Sequence, residues 1–232
     1  MVFACRVASY SQIASRCFGE RHKTTAYRRI RKLCDNGLLQ PKVAVTDKFE
    51  DKYVETTEKS WKYIQELWSF VVDRPHFKSE SPVHDLRLND IVFRLEQLKT
   101  FRAFYTENLL QSSSALAQDK YVRDLVNVEA DGALFLNGPD GKIYVYGVEF
   151  ESSKKAPERY RDKLSAYYLA RGIAGVIYIC SEQEIVNSLA RIDKELREDR
   201  QSILHFGFEN EVLKSKDKIV FKNAKEHAIE FY

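Results

Sequence analysis

The chain contains no run approaching the roughly 18 to 20 uninterrupted apolar residues that a membrane-crossing helix needs, and its N-terminus lacks a charged head followed by an apolar signal core. A cytoplasmic protein is the expectation. Cysteine is scarce: the four present, Cys5, Cys17, Cys34 and Cys180, form no CxxC pair, which argues against a zinc ribbon or a disulfide framework. They read as reduced thiols, mostly buried. What the chain has in quantity is 44% hydrophobic and 31% charged residues over 232 positions, enough to bury one large core or two small ones.

The net charge of +3 conceals an asymmetry. Residues 1 to 46 carry nine Lys or Arg against two acids, Glu20 and Asp35, so the remainder is mildly acidic. A basic segment ahead of an acidic body suits a polyanion partner, because cationic side chains gain affinity by displacing phosphate counterions.

From Ser9 the sequence SYSQIASRCFG, then ERHKTTAYRRIRKLCDNGLLQPKV, reads as two helices joined by a tight turn at Phe18-Gly19. In the second helix Ala26, Ile30 and Leu33 form an apolar stripe, while Lys23, Tyr27, Arg28, Arg31 and Lys32 occupy other faces. Thr24 or Thr25 is the expected N-cap, and Asn36-Gly37 the left-handed stop. Leu38-Leu39, Val43 to Val45 and Tyr53 to Thr56 read as short strands around a charged turn. This order resembles the winged helix-turn-helix family, with LCDNGLLQP carrying much of the likeness. The resemblance implies that the second helix enters the major groove of double-stranded DNA, through Lys23, Thr24, Thr25, Tyr27, Arg28, Arg31 and Lys32. Residues 58 to 72 follow as a helix with Trp61, Ile64, Leu67, Trp68 and Val71 on one stripe.

The proline- and serine-bearing stretch DRPHFKSESPV places a linker at 73–83, between a first domain at 1–72 and a second at 84–232. The second opens with an amphipathic helix whose Leu88, Ile91, Val92 and Leu95 point inward. A strand at FRAFYTEN and a polar loop, QSSSALAQDKYVRD, come next. Residues 131 to 151, DGALFLNGPDGKIYVYGVEFE, are two apolar runs around a turn and predict an antiparallel hairpin. A helix at 156–172 and a buried strand at AGVIYIC complete the order helix, three strands, helix, strand. EQEIVNSLARIDKELRED is a further amphipathic helix, and ILHFGF and KIVFKN read as final strands.

Glu149 and Glu151 are two apart on a strand and therefore share a face. The hairpin sets Asp131 opposite Glu149. Carboxylates that close raise one another's pKa unless a cation sits between them, and Mg²⁺ or Mn²⁺, which take oxygen ligands, are the simplest such cations. The chemistry implied is phosphodiester cleavage. The bland counterpart is a solvated acidic strand end held by Lys154, Lys155 and Arg159.

DGALFL, the turn, VEFESSKKAPERY and the apolar strand resemble the PD-(D/E)xK nuclease superfamily, with a restriction-endonuclease-like mixed sheet flanked by helices. That resemblance makes Asp131 and Glu149 metal ligands. Ala130 stands in its proline slot and Glu151 in its lysine slot. Lys154 or Lys155 could reach back to replace the lysine, or Glu151 could be a third ligand with a second metal. The combination of a winged helix followed by HDLRLND, ADG and VEFESSKK with RY three residues further on resembles the replication-relaxation family and the C-type mobilisation relaxases of plasmids, over nearly the whole chain. It implies a strand-specific nickase at an origin of transfer or replication, working with other mobilisation or conjugation proteins. The five histidines form no His-hydrophobe-His cluster, which argues against the metal-and-tyrosine mechanism of the more familiar relaxases. Tyr160 and Tyr167, seven apart on one helix, read as packing or base-stacking residues. The alternative function is a non-catalytic DNA-binding regulator with a degenerate nuclease fold.

Overall fold

The computed structural model describes residues 2–19, 22–46, 49–67, 81–225 and 227–232. The chain forms two compact units, Met1–Phe93 with Ser112–Ser114, and Arg94–Gln111 with Ala115–Tyr232. Among the described residues no helix is long and apolar enough to cross a membrane.

The first unit runs α1 (Val2–Cys5), β1 (Val7–Ser9), α2 (Tyr10–Phe18), α3 (Lys23–Asp35), β2 (Leu39–Thr46), β3 (Phe49–Thr56), α4 (Glu58–Leu67) and α5 (Pro82–Leu95). Its three strands pair antiparallel in the order β1-β3-β2. Pro41 lies on β2, the edge strand, where its missing N–H costs the sheet least. Ser9 and Gln12 form a reciprocal capping box that starts α2. Ala8, Ile13, Ile30, Leu39 and Val54 make the core.

The stripe of α3 differs by one position from the sequence expectation. Ala26 and Ile30 are buried, but Leu33 is exposed and Cys34 packs against the core instead, because 26, 30 and 34 keep the four-residue spacing. The helix begins at Lys23 with His22 as N-cap and no side-chain cap bond, so Thr24 and Thr25 lie inside its first turn rather than capping it. Its end is as expected: Gly37 takes a left-handed φ of 70°, and Leu38 N–H returns to the Leu33 carbonyl at 2.9 Å. On α4, Trp61 is buried whereas Leu67 is 61% exposed; Trp68 and Val71 lie outside the described residues.

Of the expected linker, 73–80 lies outside the described residues, and Pro82 already opens α5, where proline suits the first helical position. Up to Phe93, α5 belongs with the first unit. Gln12 Nε2 donates to the Leu86 carbonyl at 2.7 Å and to Asp90 Oδ1 at 2.8 Å, and Asn89 Nδ2 donates to the Val7 carbonyl at 2.8 Å. Leu88, Ile91, Val92 and Leu95 are buried, as their spacing predicts.

The second unit comprises β4 (Phe101–Thr106), α6 (Glu107–Ser112), α7 (Ser114–Gln118), α8 (Arg123–Asn127), β5 (Gly132–Asn137), β6 (Ile143–Glu151), α9 (Pro157–Leu169), β7 (Gly175–Cys180), α10 (Gln183–Arg197), β8 (Leu204–Phe208), α11 (Glu209–Lys214), β9 (Ile219–Lys222) and β10 (Ala228–Phe231). It is mixed α/β: a seven-stranded sheet in the order β10-β9-β8-β7-β6-β5-β4, with β6, β7 and β8 parallel and the other pairs antiparallel. Helices flank it. The stretch expected as a polar loop, 111–124, instead contributes α7 and the start of α8, because Leu110, Val122 and Leu125 are driven into the core. Strands β5 to β7 are buried on both faces, one by Ala133, Val145, Val176 and Tyr178, the other by Leu134, Val148, Ile177 and Ile179. Tyr160, Leu164 and Tyr167 of α9 cover the first of these faces. Of the cysteines only Cys180 is fully buried, and Cys17 is exposed, so the expectation of mostly buried thiols does not hold.

Candidate active site

Strands β5 and β6 pair from Asn137↔Ile143 to Gly132↔Val148, so the next step of the ladder sets Asp131 beside the end of β6. There Asp131 Oδ2 accepts a hydrogen bond from Phe150 N–H at 2.7 Å. Asp131 is delivered to that point by a left-handed turn at Glu129 (φ 56°), which reverses the chain between α8 and β5. Glu149 and Glu151 lie side by side with Tyr178 and Cys180 across the parallel β6–β7 pair.

Glu149 is 2% exposed. One of its oxygens accepts from the Tyr167 hydroxyl, the other from Lys163 Nζ at 2.6 Å. Gly147 makes the first of these possible: a Cβ there would lie 2.9 Å from the Tyr167 ring and 3.1 Å from Leu125, so only glycine lets the tyrosine lie across β6. Lys163 reaches in from α9 with a quarter of its side chain exposed, and also donates to the Glu129 carbonyl at 3.2 Å. The left-handed turn thus has two outputs, the position of Asp131 and a carbonyl that holds Lys163.

Burial pushes the Glu149 carboxyl from its ordinary 4.5 up to about 8; Lys163 pulls it down, Asp131 pushes it further up, and the hydrogen bonds from Lys163 and Tyr167 pull it down. Burial opposes the charge on Lys163, but the combined pull of Glu149, Asp131 and Glu151 outweighs it and raises the ammonium above its ordinary value. Lys163 is therefore a fixed positive charge facing three acids. Burial also raises Tyr160, to about 12, and its oxygen accepts from Lys155 N–H at 3.0 Å.

No family model, no curated protein and no solved structure matches the chain. As the side chains stand, no group of three or more His, Cys, Asp or Glu among the described residues is gathered to hold a metal ion. In donor type and charge the set nonetheless fits a divalent ion. Asp131, Glu149 and Glu151 offer hard oxygen donors, and with all three ionised Lys163 leaves an excess of two negative charges. Tyr178, the register partner of Glu149 on β7, is fully buried, and its hydroxyl has no hydrogen-bond partner among the described residues.

Of the three expected acids, Glu149 meets Lys163 Nζ at 2.6 Å, and the charges of Asp131 and Glu151 favour the same ammonium. The structure does not bring Lys154 to them, but pairs it with Glu184 at 3.7 Å. Sequence reading missed Lys163. Its signal was present: position 163 is three residues from Tyr160 and four from Tyr167, on the face of α9 that meets the acid-bearing strand. The residues of α3 form a separate feature in the first unit. Lys23, Thr24, Arg28, Arg31 and Lys32 are exposed, as is Arg29, which the sequence reading omitted, while Thr25 is half-buried. Tyr27, 42% exposed, stands edge-on to Tyr10 with ring centroids 5.7 Å apart.

Proposed function

We propose that the protein is a divalent-metal-dependent DNA endonuclease that nicks one strand, with a winged helix-turn-helix in the first unit and a PD-(D/E)xK-like, restriction-endonuclease-like sheet in the second. The observation that carries this reading is the 2.6 Å contact between buried Glu149 and Lys163, a partly buried lysine of α9 whose charge Asp131 and Glu151 also favour. Acids plus one lysine are what phosphodiester hydrolysis needs: oxygen ligands for an ion, and a cation that remains to stabilise the phosphorane or orient water. Lys163 occupies chemically the slot that Glu151 leaves empty in the sequence motif.

In this assignment Asp131, Glu149 and Glu151 hold Mg²⁺ or Mn²⁺. When bound, the ion supplies Lewis-acid polarisation of the phosphate and a more acidic water. Tyr167 fixes one Glu149 oxygen, so the carboxylate cannot rotate freely. Lys163, held at the Glu129 carbonyl, keeps its charge throughout the physiological range. The winged-helix reading is supported by the element order of helix, strand, helix, helix, strand, strand, by the sheet order β1-β3-β2, and by the exposed cations of α3. The likeness to the replication-relaxation family and the mobilisation relaxases makes an origin of transfer or replication the substrate, in a cytoplasmic setting with other mobilisation or conjugation proteins as partners.

The deciding experiment uses supercoiled plasmid carrying the cognate origin. Conversion to open circles in Mg²⁺ or Mn²⁺, and none in EDTA, is expected; equal conversion in the chelator removes the metal from the reading. One observation favours the alternative of a non-catalytic regulator. Both Glu149 oxygens already have protein partners, so the acid is neutralised without an ion. Under that alternative the protein binds origin DNA and releases it uncut with or without metal.

DNA binding is testable apart from cleavage. Replacing Arg28 and Arg31 together with alanine is expected to weaken binding and to flatten its salt dependence, by about 0.9 in log-log slope for each phosphate that is no longer neutralised. An unchanged slope takes α3 off the DNA backbone and leaves the first unit as a protein-binding module.

A further inference from the structure

Tyr178 sits in the middle of β7, entirely buried, its ring centroid 6.4 Å from that of Phe206. Among the described residues its hydroxyl has no hydrogen-bond partner. For packing alone that oxygen is a liability, because phenylalanine fills the same space without a desolvated polar group. The surroundings indicate where the missing partner belongs. Tyr178 is the register partner of Glu149 across the β6–β7 pair, so the two side chains stand on the same face of the sheet, the face that Glu151 also shares. The other two tyrosines of the cluster are already engaged, Tyr167 with Glu149 and Tyr160 with the Lys155 N–H. The free phenol oxygen can accept a hydrogen bond from a water.

We propose that Tyr178 is a positioning residue of the acid site, its hydroxyl oxygen accepting a hydrogen bond from a water carried by the divalent ion that Asp131, Glu149 and Glu151 hold. The inference rests on the metal-site reading above and goes beyond it, by assigning an outer partner on a strand that carries no acid. Mg²⁺ and Mn²⁺ of this kind retain waters, and partners in that outer layer typically contribute 10- to 100-fold to metal affinity.

Tyr178→Phe removes one oxygen and nothing else. Two measurements on the full chain decide the matter: thermal unfolding in EDTA, and Mn²⁺ titration followed by electron paramagnetic resonance. The expected result is a melting temperature in EDTA equal to or above that of the unsubstituted protein, with Mn²⁺ affinity lowered about 10-fold. Tyr167→Phe is the comparison, since its hydroxyl is spent on Glu149 and its loss lowers the melting temperature in EDTA itself. Equal Mn²⁺ affinity in Tyr178→Phe and the unsubstituted chain overturns the inference and leaves the metal site standing. A Tyr178→Phe chain that melts earlier in EDTA, or does not fold there, shows the oxygen to be structural and also overturns it. Absence of Mn²⁺ binding by the unsubstituted chain removes the metal-site reading, and the inference falls with it.

Discussion

Lys163→Met is expected to lower single-turnover nicking roughly 10² to 10³-fold while leaving the affinity and salt dependence of DNA binding unchanged. Methionine keeps the length and apolar stem of the side chain and removes only the ammonium that sits 2.6 Å from Glu149. That ammonium is the cation that acts on Glu149, and it is held from behind by the Glu129 carbonyl. Lys154→Ala is the contrast. Its side chain is half exposed and pairs with Glu184, so its loss is expected to cost far less. The Lys163 variant is also expected to be less stable, by up to about 3 to 5 kcal/mol where Glu149 is ionised, because a buried charge has lost its partner. The loss should be smaller at pH 6 than at pH 9, since below about 8 Glu149 can take up a proton instead. Full cleavage by Lys163→Met would make the ammonium a structural counter-ion and remove it from the chemistry, leaving the nuclease reading to the acids alone.

The hairpin carrying the acids is legible in the sequence because its signals are local. Strand periodicity puts Glu149 and Glu151 on one face, and the Asn-Gly-Pro-Asp-Gly turn fixes a register that brings Asp131 beside them. Likewise Gly37 ends α3 where its left-handed φ is required. What escapes is tertiary. Lys163 looks like any surface lysine on a helix until α9 is laid across β6, and Gly147 gives no hint of its purpose until the Tyr167 ring is seen against it. Spacing points Leu33 and Leu67 inward, yet both stand exposed, because an apolar stripe says nothing about how wide the facing surface is. Composition makes the serine-rich segment before β5 a loop; Leu110, Val122 and Leu125, few but fully covered, outweigh the polar residues between them. Nearness in sequence to Glu151 favours Lys154. Proximity along a chain that turns into a helix at Pro157 is a weaker guide than the face of that helix.

Glu149→Gln is expected to abolish Mn²⁺ binding and cleavage and, in EDTA, to remove most of the protein's loss of stability between pH 5 and pH 9. The sign follows from where the proton sits. The unfolded chain releases it near the ordinary 4.5, whereas the folded protein, with Glu149 buried, keeps it up to about 8. Through that window the folded state binds more protons than the unfolded one, so stability is full at the acid end, declines as pH rises, and levels off above about 8. Each unit of displacement corresponds to about 1.4 kcal/mol, which makes the decline as large as several kcal/mol. Lys163 stays charged across the window and does not mask it. Glutamine has no proton to lose, and it can still accept from Tyr167, so its unfolding free energy should be nearly flat over the same range. A divalent ion should act oppositely on the unsubstituted protein, stabilising it most at high pH, because it binds the ionised carboxylate and displaces the proton. Parallel pH profiles for the two proteins in EDTA, measured by denaturant unfolding, would mean that Glu149 is already ionised at acid pH and that Lys163 alone neutralises it; the site would then have no stored demand for a second cation, and the regulator reading would gain by that result.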